Sequence, residues 1–111
     1  MELTDTCLEG IRHLRVRLHE GYMEETILLF RDVIEAFYQM EKAIQPITDK
    51  FALCILEEMT NQVRDSLDYV ATFYEKAESR KAYEIIEMQL LPNYLNWKGE
   101  IDRLFTPYVI I

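Results

Sequence analysis

EGYMEETILLFRDVIEAFYQMEKAI, residues 20–44, decides the fold class. Met23, Ile27, Phe30, Ile34, Phe37 and Ile44 recur along it at helical steps, and Val33 and Met40 widen the row. Apolar residues three and four apart share one face of an α-helix, whereas a half-buried strand would alternate at every second residue. The stretch is predicted as a helix from about Tyr22 or Met23 to Ile44. Glu41 interrupts the strict spacing, and Pro46 is expected to end the helix, because the residue before a proline avoids the α region.

The same spacing continues outward in both directions. On the N-terminal side Cys7, Ile11, Leu14 and Leu18 mark a helix from about Leu3 to His19, with Thr4 or Asp5 as its cap and Gly21 suited to the left-handed position after its end. On the C-terminal side Thr48 or Asp49 is expected to cap a third helix reaching Lys76. Its stripe is Ala52, Leu56, Met59, Val63, Val70, Phe73 and Ala77, broadened by Leu67 and Tyr74, with Ser66 as a polar gap. A break near Glu78-Ser79, with Ser79 as cap, opens a fourth helix carrying Ala82, Ile86, Leu90, Tyr94, Trp97, Ile101, Leu104 and Tyr108 on one face. Pro92 is expected to kink or break that helix, since it lacks the amide donor and crowds the carbonyl four residues back. Pro107 closes it.

These four elements predict an all-α, single-domain chain over residues 1–111. It is a four-helix bundle of two helical hairpins, at about 3–45 and 49–106, neither of which buries its stripe alone. The hairpins also align with each other at an offset of 56. Ile11, Leu14, Leu18, Ile27, Leu29 and Phe30 then fall on Leu67, Val70, Tyr74, Tyr83, Ile85 and Ile86, and Gly21 falls on Ala77.

Composition agrees with helices. Half of the 111 residues are hydrophobic and 29% are charged, a globular balance, and glycine and proline together number six, too few for the turns of an all-β chain. Cys7 and Cys54 sit in apolar stripes without a CxxC or Cys/His cluster, and both are read as buried thiols of a reducing compartment. The opening MELTDTCLEG lacks the basic-then-apolar plan of a signal peptide, and no apolar run approaches membrane-spanning length. The expected location is the cytoplasm. A net charge of −8 argues against nucleic acid and against anionic membranes, both of which are held by lysine and arginine. Residues 47–78 hold seven acids and three bases, and residues 22–46 five acids and two bases, so the acidic surface belongs to the second and third helices.

Few constellations carry chemistry. No Glu-x-x-His pair, Gly-rich loop, P-loop or nucleophile elbow occurs, so no catalytic, cofactor-binding or metal-ligating residue is assigned, and no cofactor is expected. Seven tyrosines and Trp97 are many for this length; such side chains border cores and line interfaces. The apolar tail Tyr108-Val109-Ile110-Ile111 is expected either to pack in the bundle's own groove or to join an interface. RHLRVRLH, residues 12–19, gathers the basic cluster and both histidines, His13 and His19. Arg12, His13 and, seven residues after Arg12, His19 resemble the arginine–polar–spacer–histidine motif of HEPN ribonucleases, also small helical bundles, and Arg12 and His19 are two turns apart on one face. That resemblance implies metal-independent RNA cleavage, with an arginine stabilising developing charge and a histidine moving a proton. A solvated basic face, with Arg15 and His19 paired to glutamates, accounts for the same residues.

The stretch quoted first, together with LLPNYLNWKGEIDRLFTPY at 90–108, is similar to a family of small, uncharacterised bacterial helical proteins. In these an acidic hairpin precedes a proline-broken last helix. In size and helical make-up alone the chain also resembles flagellar export chaperones, bundles that bind helical segments of their clients. No residue role follows from either likeness. The expected function is a non-enzymatic interaction module, an adaptor or chaperone-like bundle. An apolar groove near Pro92, Trp97 and Tyr108 would hold an amphipathic helix of another protein or of a second copy. The alternative is a HEPN-type ribonuclease or antitoxin-like protein using Arg12 and His19.

Overall fold

The structure, a computed structural model, describes residues 2–105. These form α1 (Glu2–His19), a 3-10 turn (Glu24–Thr26), α2 (Ile27–Phe51), α3 (Cys54–Glu75), α4 (Ser79–Ile85), a π turn (Ile86–Leu90) and α5 (Leu91–Phe105), with no strand among them. The α4 helix, the π turn and α5 follow without a gap and make the fourth rod of an all-α bundle. The α1 helix packs on α2 and on the fourth rod, and α3 does the same from the opposite corner. Thus α1 and α3 form one diagonal, and α2 and α5 the other.

The predicted stripes meet in the centre. Ile11, Leu14, Phe37, Met40, Leu56, Val63, Val70, Ile86, Leu90, Tyr94, Trp97 and Ile101 are all but fully buried. Each large apolar side chain so buried stabilises the fold by roughly 1.5–3 kcal/mol before chain entropy is counted. Phe37 and Trp97 span the α2–α5 diagonal, ring centroids 5.1 Å apart. Polar tips on α5 then fix its position: Trp97 Nε1 donates to Thr60 Oγ1 at 2.9 Å, Tyr94 Oη to the Thr4 carbonyl at 2.7 Å, and Asn93 Nδ2 to Ser66 Oγ at 2.9 Å. Ser66, the polar gap of the third stripe, is therefore a buried link between α3 and α5.

Several boundaries differ from the sequence expectations, each for a local reason. The α2 helix runs through Pro46 to Phe51. The acceptor that Pro46 leaves without a donor is the Lys42 carbonyl. Both residues are on the exposed face, where the lost bond costs least, while Ile44 and Thr48 hold the last turns in the core. Termination comes from Ala52, left-handed at φ 51°, with the Leu53 amide bonded back to Thr48. Thr48 and Asp49 are consequently the last turn of α2 rather than caps of α3, and Asp49 accepts from Gln45 at 2.8 Å. The shift leaves Cys54 exposed as the first residue of α3, against the expectation of a burial site, whereas Cys7 is buried as expected. Thr4 and Asp5 lie inside α1, and Glu78, not Ser79, precedes α4. Pro92 lies in the first turn of α5, which follows on without a gap; just upstream is the π turn, where the Leu91 amide reaches the Ile86 carbonyl five residues back. Pro107 and the tail from Tyr108 to Ile111 lie outside the described residues.

The two hairpin turns are the same motif. Gly21 (φ 89°) and Ala77 (φ 55°) are both left-handed. In the first turn the amides of Gly21 and Tyr22 bond the carbonyls of Leu18 and Arg17. In the second, 56 residues on, Ala77 and Glu78 bond Tyr74 and Phe73. These are the two paired bonds that satisfy the last carbonyls of a helix ending in this motif.

Candidate functional site

The α2 helix carries more apolar residues than one core face can hold. Its buried row is Phe30, Val33, Phe37, Met40 and Ile44. A second row at the same three-and-four spacing runs beside it: Ile27, Arg31, Ile34, Tyr38, Glu41, Gln45 and Thr48. Its upper part stays open, with Ile27 47% exposed, Tyr38 45% exposed and Ile34 half-buried. The facing row on α3, antiparallel to it, is Glu57, Asn61, Arg64, Asp68, Ala71 and Glu75. Together the rows border a seam between α2 and α3.

Two fixed contacts hold the seam. Phe30 stacks on Tyr74 with centroids 4.5 Å apart and planes within 4°. Tyr74 Oη meets Thr26 Oγ1 at 2.6 Å, and Thr26 gives its own proton to the Met23 carbonyl at 2.7 Å, so Tyr74 is the donor. Burial pushes the Tyr74 phenol above its ordinary range. Farther along, Arg64 bridges to Glu41, Nε to Oε1 at 3.3 Å and with a second contact to Oε2, and also donates to Asn61 Oδ1 at 2.7 Å. Glu41, the residue that broke the predicted stripe, is the α2 half of this bridge.

At each fixed contact the surface is concave. A cleft of about 330 Å³ is lined by Ile27, Phe30, Arg31, Ile34, Tyr74 and Glu75. A second, of about 220 Å³, is lined by residues that include Glu41, Gln45, Thr48, Glu57 and Asn61. One end of the seam is apolar and aromatic, the other polar. An apolar cleft with a few polar groups at its rim suits a docked side chain better than it suits bond-breaking chemistry.

The residues singled out from sequence fall elsewhere. Trp97 and Tyr94 are fully buried, so no groove near Pro92 is built on them; the exposed apolar residues there are Met88 and Leu95. Arg12 and His19 are both exposed on α1, and no described cleft is lined by both. His19 packs its ring on Tyr83, centroids 5.1 Å apart, rather than pairing with a glutamate. Tyr83 in turn bonds Glu87, which raises its phenol. Arg17 takes the acids: Glu25 at 3.0 Å and Glu20 at 3.8 Å, with its guanidinium over the Tyr22 ring. His13 and Arg17 line a separate cleft with Glu25, Thr26 and Leu29. Among the described residues no three His, Cys, Asp or Glu side chains gather as a metal group, and no helix is long and apolar enough to cross a membrane.

The seam itself was missed in sequence because Ile27 and Ile34 were counted into the core. The available signal was surplus width: apolar residues on α2 fill two adjacent rows, and a helix facing one core needs only one.

Residues 1–100 match the family model described as Domain of unknown function (DUF8042). No curated protein and no solved structure matches the chain.

Proposed function

We propose, for a chain that belongs to the DUF8042 family, a non-enzymatic role as a protein-interaction module that docks a helix in the seam between α2 and α3. One observation carries the reading. Ile27, Ile34 and Tyr38 continue a regular apolar row onto the open surface, beside a cleft floored by the Phe30–Tyr74 stack. Rows at three-and-four spacing are what a partner helix reads when it lies in a groove. Ile27 and Tyr38 stay exposed, and Ile34, packed on the core along one edge, is only half-buried, so the row keeps an apolar surface open to a partner.

A photo-reactive side chain placed at Tyr38 tests the location in cells. A discrete protein adduct is expected there, absent when the same group stands at Met88 on the opposite corner and lost when Ile27→Asp is added. Circular dichroism of the Ile27→Asp protein should be unchanged, because Ile27 lines the cleft from the exposed side. Adducts of equal yield from both positions, or none from residue 38, would overturn the assignment. Arg12→Ala and His19→Ala should leave the adduct intact.

A further inference from the structure

We infer that the occupant of the α2–α3 seam is a cationic amphipathic helix; this rests on the docking reading above and adds the chemistry of the partner. Charge is distributed very unevenly over the bundle. Residues 24–75, which contain α2 and α3, hold eleven acids against four bases (Arg31, Lys42, Lys50 and Arg64). That balance of −7 is nearly all of the chain's −8. The α1 helix and the fourth rod are close to neutral.

The two rows of the seam hold four acids (Glu41, Glu57, Asp68 and Glu75) against two bases (Arg31 and Arg64), and three of the four acids stand on the α3 side. The α2 rim offers Ile27, Ile34 and Tyr38, and the α3 rim offers Glu57, Asp68 and Glu75. The only base on the α3 rim, Arg64, is already held by Glu41 across the seam. On the α2 rim Arg31 lines the apolar cleft opposite Glu75. A helix lying along the seam therefore meets grease on one flank and carboxylates on the other. At 1.5 Å rise per residue, Glu57 to Asp68 spans about 16 Å and Asp68 to Glu75 about 10 Å. Lysines or arginines eleven and seven residues apart on the partner's flank match that ladder.

The same charge selects against other occupants. A second copy docking through this face would bring two strongly negative halves together, a juxtaposition that costs free energy at an interface. A nucleic acid is repelled for the same reason.

Three fluorescein-labelled synthetic helical peptides of twenty-two residues, long enough to place cations eleven and seven residues apart, test the inference by anisotropy on the full chain. The first carries leucines at three-and-four spacing with lysines on one flank. The second replaces those lysines by glutamates, and the third keeps the lysines but scrambles the order so that no apolar face forms. The first is expected to bind at least about tenfold more tightly than either other, about 1.4 kcal/mol. Raising salt from 50 to 300 mM should weaken it, and so should Asp68→Lys with Glu75→Lys. Equal binding of the glutamate peptide overturns the cationic preference, and equal binding of the scrambled peptide overturns the groove. If no peptide binds while the Tyr38 adduct persists, docking stands and the cationic partner is wrong. If the adduct is also absent, both readings fall.

Discussion

The first hairpin, α1 with α2, and the second, α3 with the fourth rod, bury corresponding residues until one point in the last helix, where their registers part. Thr4 and Thr60, Cys7 and Val63, Ile11 and Leu67, Leu14 and Val70, Thr26 and Ala82, and Phe30 and Ile86 are buried pairs, each 56 residues apart. Beyond Ile86 the buried pairs are Val33 and Leu90, Phe37 and Tyr94, Met40 and Trp97, and Ile44 and Ile101, each 57 apart. The extra residue falls within Ile86–Leu90, the π turn. A π turn replaces a bond spanning four residues with one spanning five, so it absorbs a one-residue insertion without rotating the rest of the helix. The second hairpin thus follows the plan of the first with one surplus residue taken up locally.

Deletion separates the two hairpins most strongly. Removing Asp32, the counterpart of Met88 at offset 56, should turn Phe37, Met40 and Ile44 about 100° away from the core, since α2 has no slack. Loss of cooperative thermal unfolding is expected. Removing Met88 instead should convert the π turn into ordinary α-helix and keep the downstream row in the core. Its cost is bounded by the proline defect at Pro92, about 3 kcal/mol, and should be recovered by adding Pro92→Ala. Equal damage from both deletions would show that the π turn holds no surplus residue.

The next largest contrast is at the centre, where Met40 in one hairpin corresponds to Trp97 in the other. Both are essentially buried, but only Trp97 has a polar tip, and that tip bonds Thr60. Met40→Ala should cost about 2–5 kcal/mol, mostly as cavity. Trp97→Ala should lie at or above the top of the 3–5 kcal/mol typical of Phe or Trp to Ala, because it also strips Thr60 of its donor. Urea unfolding measures both. Trp97→Phe, which removes the hydrogen bond worth about 1 kcal/mol together with part of the ring volume, should fall between the parent and Trp97→Ala. A Trp97→Ala loss no greater than that of Met40→Ala would mean that the α5 anchor is not what ties the hairpins together.

What sequence reading captured follows the same division. Every core residue named for α1 is buried, as is the row from Ala82 to Ile101, because strict helical spacing is legible without knowledge of the partner surface. The π turn was also written there. Buried residues at 26, 30, 33, 37, 40 and 44 step by four and three in turn, whereas 82, 86, 90, 94, 97 and 101 begin with three steps of four. Attention to Pro92 obscured that pattern. Pro46 misled for the converse reason. A proline signal is local, and the end of α2 is set by Ala52 and by the burial of Ile44 and Thr48, which depend on the assembled bundle. The seam was least legible, since whether Ile34 faces the core or a rim depends on how closely α2 and α3 approach. The position of Glu41, set by Arg64 twenty-three residues away, is equally non-local.

The smallest contrast lies in the turns. Both adopt the left-handed conformation with the same hydrogen bonds, but the first places glycine there and the second places Ala77 at φ 55°. An L-residue held left-handed is penalised by roughly 1–2 kcal/mol because its Cβ crowds the following carbonyl. Glycine escapes that crowding but has more freedom to lose on folding, roughly 0.5–1 kcal/mol. Nothing stands within 4 Å of a Cβ built on Gly21, so Gly21→Ala should incur the conformational cost alone, with no clash. The two terms predict reciprocal effects. Gly21→Ala should destabilise the bundle by up to about 1 kcal/mol, and Ala77→Gly should stabilise it by a similar amount. The double variant, which exchanges the two turns, should return close to the parent midpoint in urea, because sites in separate turns with no shared partner add. If Ala77→Gly instead destabilises, the Ala77 methyl makes a contact that Gly21 has no counterpart for. The turns would then be alike in backbone but not in packing.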